Sequence, residues 1–537
     1  MHEPHCTRRR FLSVMGAAPF AAGLAARSRR AAAASTWSPD GTRQFHICLS
    51  PQAIAADPAL LPTVKAAGVT DIWQPAYFYG HWYETPERLA EARKVVEGAG
   101  LRWHLINVPL GHPGDSLGDP VGESPLTPPG SWRMAQRPDG SQYSGTSLHP
   151  PATEENVGAL QQLAALQPDA LFLDDDFRLA VGPGVIGGCF CAEHRAVFLA
   201  KHGYGEAQWV ELLDAVNTRR LTPVLRAWVE DQCDALTGSF RAQQAALPGA
   251  ALGNMIMYLG AEKAGIRLTD YAVVPFRVGE LMFSDASFGT VKGKTDELFS
   301  ALFHRRFARR NLAFSETTAY PHDQLSARNL AAKLTVSTLS DVPNTMFMSG
   351  LTPYPIGHWE TVGPAVREQA TLHAQIAGHV PRGPMKHYWG EASRYVGDDR
   401  PNSLFLALGI PFEVADALPE EGVVFLGDQD AQHLAKAPKG ATVYCRPEVA
   451  PVPEGVRTVA ESLDALWAVK RELLAGTPAF PHVVEEVPVV CAWYPTASRV
   501  MLWNLGDAAV TVTVREGARS ASVSLGGLGI AVVAWPA

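Results

Sequence analysis

Cysteine is scarce in this chain, with seven in 537 residues, and Cys48, Cys233, Cys445 and Cys491 are scattered singly, so no disulfide framework is evident. Positive charge is in deficit too. Lys and Arg number 46 against 54 Asp and Glu, and the first 34 residues take six Arg and one acid, leaving 40 basic and 53 acidic side chains in the remainder. That balance argues against nucleic acid and anionic membrane surfaces as partners and leaves neutral ligands such as sugars open. After residue 26 no apolar run is long enough to span a membrane. No phosphate-binding loop or flavin fingerprint occurs either. What the chain has in quantity is hydrophobic residues, 47% of a length that predicts two or three domains with a large core.

The amino terminus reads as a leader. Thr7-Arg8-Arg9-Arg10-Phe11-Leu12 has the twin-arginine pattern, an apolar run follows over 11–26, and Ala32-Ala33-Ala34 offers the small residues of a cleavage site. Cleavage is expected near Ser35, with export to the periplasm or the outside. An uncleaved anchor is the competing reading, but the run is short and rich in Ala and Gly and would hold a bilayer weakly.

Strand-like and helix-like stretches then alternate. Residues 45–49, 71–75 and 103–108 read as strands, with helices over 60–67 and 87–99 between them. This order favours a parallel sheet covered on both faces. A fourth strand ends at Leu173, and further candidates lie at 252–258, 279–283, 312–314 and 345–348. Eight strands are what a closed (β/α)8 TIM barrel requires. A helix over 366–376 would complete it before the proline-bearing linker 380–384. Beyond the linker, 403–408, 422–426 and 441–444 read as strands with a helix over 431–436, and 489–536 alternates apolar and polar residues as an antiparallel sandwich does.

The stretch 171–194 carries the most chemistry. Leu171-Phe172-Leu173 suits a buried parallel strand, and it ends in Asp174-Asp175-Asp176. Three adjacent acids repel one another and raise at least one carboxyl pKa, so they persist only if solvated, paired or used. Arg178 is the nearest cation in sequence. At the carboxyl end of a barrel strand such residues usually do chemistry, the competing reading being a strand end that merely meets water.

Two loops would overhang the same mouth. The segment 111–151, dense in Gly, Pro and Ser, brings His112, Trp132 and Tyr143, with His149 near its end. After the second strand, Tyr77-Phe78-Tyr79-Gly80-His81-Trp82-Tyr83 places six ring-bearing residues in seven positions. Such a run reads as a ligand wall, with Tyr79, His81 and Trp82 as contacts, or else as loop packing. On the sixth strand Asp285 is expected at the carboxyl end as a substrate contact and Glu280 as a partner of Arg277, while Asn254 and Tyr258 on the fifth are weaker candidates.

A second acid follows the seventh strand, Glu316 in Ala313-Phe314-Ser315-Glu316-Thr317-Thr318. Two carboxylates on different strand ends, one an acid and the other a nucleophile or base, are the minimal equipment for breaking a glycosidic bond. A helix-start acid near a cap is the plainer alternative for Glu316. Cys189, Cys191 and His194 form a C-x-C-x-x-H cluster whose soft ligands suit tetrahedral zinc. Two buried thiols, or a strained disulfide, compete with that reading.

Asp174-Asp175-Asp176-Phe177, the Cys189 to His194 cluster and Phe198 together resemble the fourth-strand region of family 42 glycoside hydrolases, where Asp-Asn-Glu-Tyr precedes a Cys-x-Cys-x-x-Cys and a phenylalanine-bearing helix. Ser315-Glu316-Thr317-Thr318-Ala319-Tyr320-Pro321 with Ser326-Ala327-Arg328 is similar to that family's nucleophile segment. The resemblance implies Glu316 as nucleophile and Asp176 as general acid/base, with Asp175 in place of the family's asparagine; Asp174 and Arg178, from the same strand end, are further candidates to contact the substrate. Asp176 is one methylene shorter than the family's Glu, which leaves the stereochemistry open. Retention needs carboxyls about 5–5.5 Å apart, and inversion about 6.5–9.5 Å. The resemblance also implies a structural zinc, for which His149 would replace the missing loop cysteine as fourth ligand beside Cys189, Cys191 and His194. It further implies a flavodoxin-like domain after the barrel and trimer assembly.

The expected organisation is therefore a leader over 1–34, a (β/α)8 barrel over 40–380, a flavodoxin-like α/β domain over 385–478 and a C-terminal β-sandwich over 485–537. The expected function is an exported, retaining glycosidase acting on a β-linked carbohydrate from the non-reducing end, β-galactosidase-like, with no cofactor required for catalysis. A sugar-binding protein on a glycosidase scaffold, or an inverting glycosidase, is the alternative.

Overall fold

The computed structural model describes residues 39–110, 128–174, 177–180, 182, 184–256, 258–279, 282–476 and 478–536. The leader, His112, Asp175, Asp176 and Glu280 lie outside the described residues, as does the side chain of Tyr143.

Eight strands form one closed parallel barrel: β1 (Gln44–Cys48), β2 (Asp71–Phe78), β3 (Arg102–Val108), β4 (Ala170–Leu173), β5 (Ala251–Ile256), β6 (Phe276–Val278), β7 (Ala313–Thr318) and β8 (Asn344–Met348). Each pairs with its successor, and β8 pairs with β1. The two-residue period of a strand sorts the side chains. Phe45, Ile47, Leu105, Leu171 and Leu173 pack outward beneath the helices, whereas Cys48, Trp73, Ile106, Phe172, Phe314 and Met346 fill the barrel. Each such buried side chain stabilises the fold by about 1.5–3 kcal/mol relative to exposure.

The amino-terminal end of the barrel is closed by polar groups that satisfy one another. Buried Asp71 accepts from His104 Nε2 and from Arg102 Nη2, both at 2.7 Å, and lies 3.5 Å from His46 Nδ1. Burial opposes ionisation of Asp71, but its His46, His104 and Arg102 partners hold the carboxyl well below the usual range. Burial pushes His46 down to about 4. These residues sit at the end of the barrel that serves stability, opposite the mouth where strands end.

A second sheet follows, with β9 (Met385–Tyr388), β10 (Phe412–Ala415), β11 (Glu421–Leu426), β12 (Gly440–Cys445) and β13 (Val456–Thr458). All pairings are parallel and the order is β10-β9-β11-β12-β13. That is the 2-1-3-4-5 order of flavodoxin-like folds. Two three-stranded antiparallel sheets end the chain, one with β14 (Val489–Tyr494), β15 (Arg499–Asn504) and β18 (Ile530–Ala534), the other with His482–Val483, β16 (Val510–Glu516) and β17 (Arg519–Leu525). Cys491, Val500, Leu502, Val512, Val514 and Trp535 pack between them.

Three of the differences from the sequence expectation matter most. The sixth strand occupies Phe276–Val278, not 279–283, so the chain leaves the barrel earlier. The seventh extends through Thr318, which puts Glu316 inside the strand rather than after it. Residues 403–408, read as a strand, contain a 3-10 helix, Ser403–Ala407. This short apolar run is buried on every side, and periodicity cannot separate helix from strand there.

Candidate active site

Because every barrel strand is parallel, the ends of β4 and β7 open at one mouth. On β7, Glu316 shares the parity of the barrel-filling Phe314. Glu316 is 6% exposed, and its Oε1 accepts from Thr318 Oγ1 at 2.8 Å. A fully buried ion pair supports this strand end from behind. Lys333 Nζ, on the helix Ala327–Leu339, lies 2.8 Å from Glu297 Oε1, on the helix Val291–Arg305. The ammonium also donates to Met282 O at 2.9 Å and Thr318 O at 3.4 Å, while Glu297 accepts from Met282 N at 2.8 Å. One pair of charges thus ties the segment after β6 to the last residue of β7.

On β4, the Asp174 N–H donates to Asn107 O at 2.8 Å, and its carboxylate forms an ion pair with Arg277 of β6. Arg277 is wholly buried, lies over the Phe172 ring at 5.7 Å and approaches Met346 Sδ at 3.0 Å. A guanidinium inside a barrel persists only when it is paired. Arg178, the nearest cation in sequence, donates from Nε to Ala180 O at 3.3 Å, and its guanidinium lies over the Tyr258 ring at 5.1 Å. Asp176 and Asp175 lie outside the described residues, but the chain is anchored on both sides, since the Phe177 N–H donates to Asp174 O at 2.9 Å and Phe177 is fully buried.

The aromatic loop after β2 is a tight hairpin. Tyr79 and Gly80 both have positive φ, 51° and 82°, and the short strand His81–Trp82 returns antiparallel with Trp82 opposite Tyr77. Two consecutive positive φ values are what a two-residue type I′ turn demands. A Cβ on Gly80 would stand 2.3 Å from the Pro129 ring, so glycine is required sterically as well. Tyr79 is 2% exposed and packs edge-on to Trp132 at 6.0 Å, which makes it part of the loop's core and not a surface wall. His81 and Trp82 are half-buried. Trp132 is buried as well, donating Nε1–H to Glu155 Oε2 at 2.6 Å.

Asp285 begins the four-residue helix Asp285–Phe288, seven positions beyond the end of β6. Its Oδ1 accepts from Ser326 N at 2.9 Å, Ser326 Oγ at 3.0 Å and Asn329 Nδ2 at 2.8 Å, so it joins the loops after β6 and β7. Asn254 is buried at parity opposite to barrel-facing Met255, toward the helices. Tyr258 stands beyond the end of β5.

A remote histidine does converge on the C-x-C-x-x-H cluster. The ligand atoms of His149, Cys189, Cys191 and His194 all lie within 4.8 Å of one another. His149 Nε2 and His194 Nδ1 each stand 3.4 Å from Cys191 Sγ. Around a tetrahedral zinc, with Zn–S about 2.3 Å and Zn–N about 2.0 Å, ligand atoms stand about 3.3–3.8 Å apart, so the set fits the ion. The surroundings fit as well. Gln136 N–H points at Cys189 Sγ at 3.4 Å, and the outer nitrogen of His149 lies 3.7 Å from Glu193. Burial pushes the Cys189 thiol up to about 11 and the His194 imidazole down to about 4. The cluster joins the long loop after β3, through the hairpin Met134–Gln136 and Gln142–Thr146, to the loop after β4.

Arg277 enters the sequence expectation only as a partner of Glu280, and the Lys333–Glu297 pair and the role of Thr318 escape it. Their partners are remote in the chain, and a lone Arg between Phe276 and Val278 carries no motif. The one usable signal is the cost of a charge in so apolar a strand, which implies an acid somewhere across the barrel.

No family profile matches the chain, and no curated protein matches it. Solved structures do. The β-galactosidase of Bacillus circulans sp. alkalophilus is similar over 92% of this chain and 98% of its own, at 10% identity and a TM-score of 0.59. The cold-adapted β-galactosidase of Rahnella sp. R3 aligns over 92% and 98% at 12% identity and a TM-score of 0.56. Gan42B, a GH42 β-galactosidase, aligns over 92% and 98% at 10% identity and a TM-score of 0.56. The chain therefore shares with these β-galactosidases a fold that spans nearly the whole of each: a closed eight-stranded barrel followed by further sheets.

Proposed function

We propose that this protein is an exported glycoside hydrolase that cleaves a terminal β-linked sugar, β-galactoside first among candidates, using Glu316 as nucleophile and Asp176 as general acid/base. The observation that carries the reading is Glu316, 6% exposed at the β7 end of a barrel whose β4 is followed by Asp174 at the same mouth. The likeness of fold to β-galactosidases over 92% of the chain supports it. In this mechanism Asp176 protonates the glycosidic oxygen while the Glu316 carboxylate attacks the anomeric carbon, giving a glycosyl ester and free alcohol. Asp176 then takes a proton from water as it displaces Glu316. Thr318, donating to Oε1, holds the carboxylate in one orientation throughout. Asp174, bound to Arg277, anchors the carboxyl end of β4 beside that mouth. His81, Trp82, Asp175 and Arg178 are the side chains proposed to meet the sugar.

Zinc held by His149, Cys189, Cys191 and His194 would supply structural crosslinking of the loops after β3 and β4 and no step of the reaction. The test of the whole reading is a panel of aryl β-glycosides. The wild-type protein is expected to turn over at least one of them, and Glu316→Gln to lose about 10^3-fold or more in kcat while still binding the sugar. No turnover of any glycoside, or an unchanged rate in Glu316→Gln, would remove the proposal.

A further inference from the structure

The loop after β4 does not rest on the barrel alone. Leu179 N–H donates to Ala264 O at 2.7 Å and Gly187 N–H to Lys263 O at 2.7 Å, so the segment that follows the acid triplet lies on the loop after β5. That second loop is held in turn by the module beyond the barrel. Lys263 Nζ meets Asp399 Oδ1 at 2.5 Å with both side chains buried, 0% and 2% exposed, and Gly260 N–H donates to the same oxygen at 2.8 Å. Beside them, buried Glu262 pairs with Arg394 on the helix Glu391–Val396. A second bridge runs through Arg219, which donates to Gly184 O and, at 2.9 Å, to Val396 O. The layers are in close contact: a Cβ on Gly260 would stand 2.9 Å from Arg394 O, and one on Gly184 3.2 Å from Asp398 Cα.

We infer that Lys263 and Asp399 are positioning residues for the general acid of the reaction proposed above, so that the flavodoxin-like module is part of the support of the β4 loop. This rests on the reading that the β4 end carries that acid. The side chain of Lys263 grips the module while its own carbonyl grips Gly187, so a single residue transmits the position of one to the other. Breaking a charge pair buried this deeply leaves a charge without its partner, so the pair resists displacement.

The test uses the full chain with Asp399→Asn, and with the double variant Lys263→Met/Asp399→Asn, which leaves no charge buried alone and keeps an oxygen for Gly260 if the single variant does not fold. Amide exchange at Leu179 and Gly187 is expected to rise about tenfold or more, while Glu316 and Thr317 on β7 keep their protection. With glycosides of poor leaving groups, which need protonation, kcat is expected to fall about tenfold or more, and with a dinitrophenyl leaving group by less than about threefold. Unchanged exchange at Leu179 and Gly187 in a folded variant would overturn the inference, as would equal losses with both leaving groups. If the wild-type protein turns over no glycoside, the proposed function falls, and the exchange measurement alone decides whether the module positions the loop.

Discussion

Replacing Lys333 with Met tests how the nucleophile strand is held. In the native protein the Lys333 ammonium and the Glu297 carboxylate are both 0% exposed and 2.8 Å apart, and between them they bind both backbone groups of Met282 and the carbonyl of Thr318. Met keeps the volume of the stem but leaves the Glu297 charge buried without its cation. Removing one partner of a buried pair costs about 3–5 kcal/mol. For a body of the barrel's size that lowers the melting midpoint by on the order of 5 °C. Glu297→Gln/Lys333→Met removes both charges and is expected to recover most of the loss. Thermal and urea unfolding followed by tryptophan fluorescence gives the magnitudes. Because Thr318 also donates to Glu316, kcat is expected to fall in the single variant even where the protein remains folded. A single variant within about 1 kcal/mol of wild type, or a double variant as damaged as the single, would refute the reasoning.

Acid lability is a second expected property. Burial pushes His46 and His304 down to about 4 and His387 to about 3, so all three are neutral in the native state. The unfolded chain protonates them near about 6.5 and so binds more protons below that pH. Their contribution is therefore full above pH of about 6.5 and declines as pH falls toward their native values; an unfolding midpoint equal at pH 7 and pH 5 would contradict it. Metal analysis of the purified protein is expected to give one zinc per chain, and Cys191→Ser to lose it, with a lower melting midpoint for the variant and for chelated protein. A metal-free protein whose midpoint is indifferent to added zinc would contradict the proposed ligand set.

The barrel was legible because its strands are marked by short apolar runs that end in polar residues, as at Leu171-Phe172-Leu173 before Asp174, and because helices separate them at regular intervals. The sixth strand was misplaced for a physical reason. Its three residues include an Arg, while Met282 and Phe283 further on have the apolar look of a strand but lie outside the sheet. Glu316 was found by its residue type, and its place within β7 followed from Ser315, Thr317 and Thr318, polar residues buried at the lip of the barrel where an apolar pattern fails. The convergence of His149 with Cys189, Cys191 and His194 could be anticipated only from resemblance, since spacing alone joins three of the four. Tyr79 shows the opposite failure. An aromatic run after a strand reads as a ligand wall, yet the hairpin turns this ring inward against Trp132. The pairings Asp174–Arg277, Lys333–Glu297 and Lys263–Asp399 could not be read at all, because charge complementarity over such separations has no trace in local sequence.

Covalent trapping is the most direct measurement of the central claim. With a 2-deoxy-2-fluoro-β-glycoside of an accepted sugar, the account expects one fluorosugar per chain, located by peptide mass spectrometry on Glu316. Turnover without any trapped ester, or a label on a different carboxylate, would contradict it.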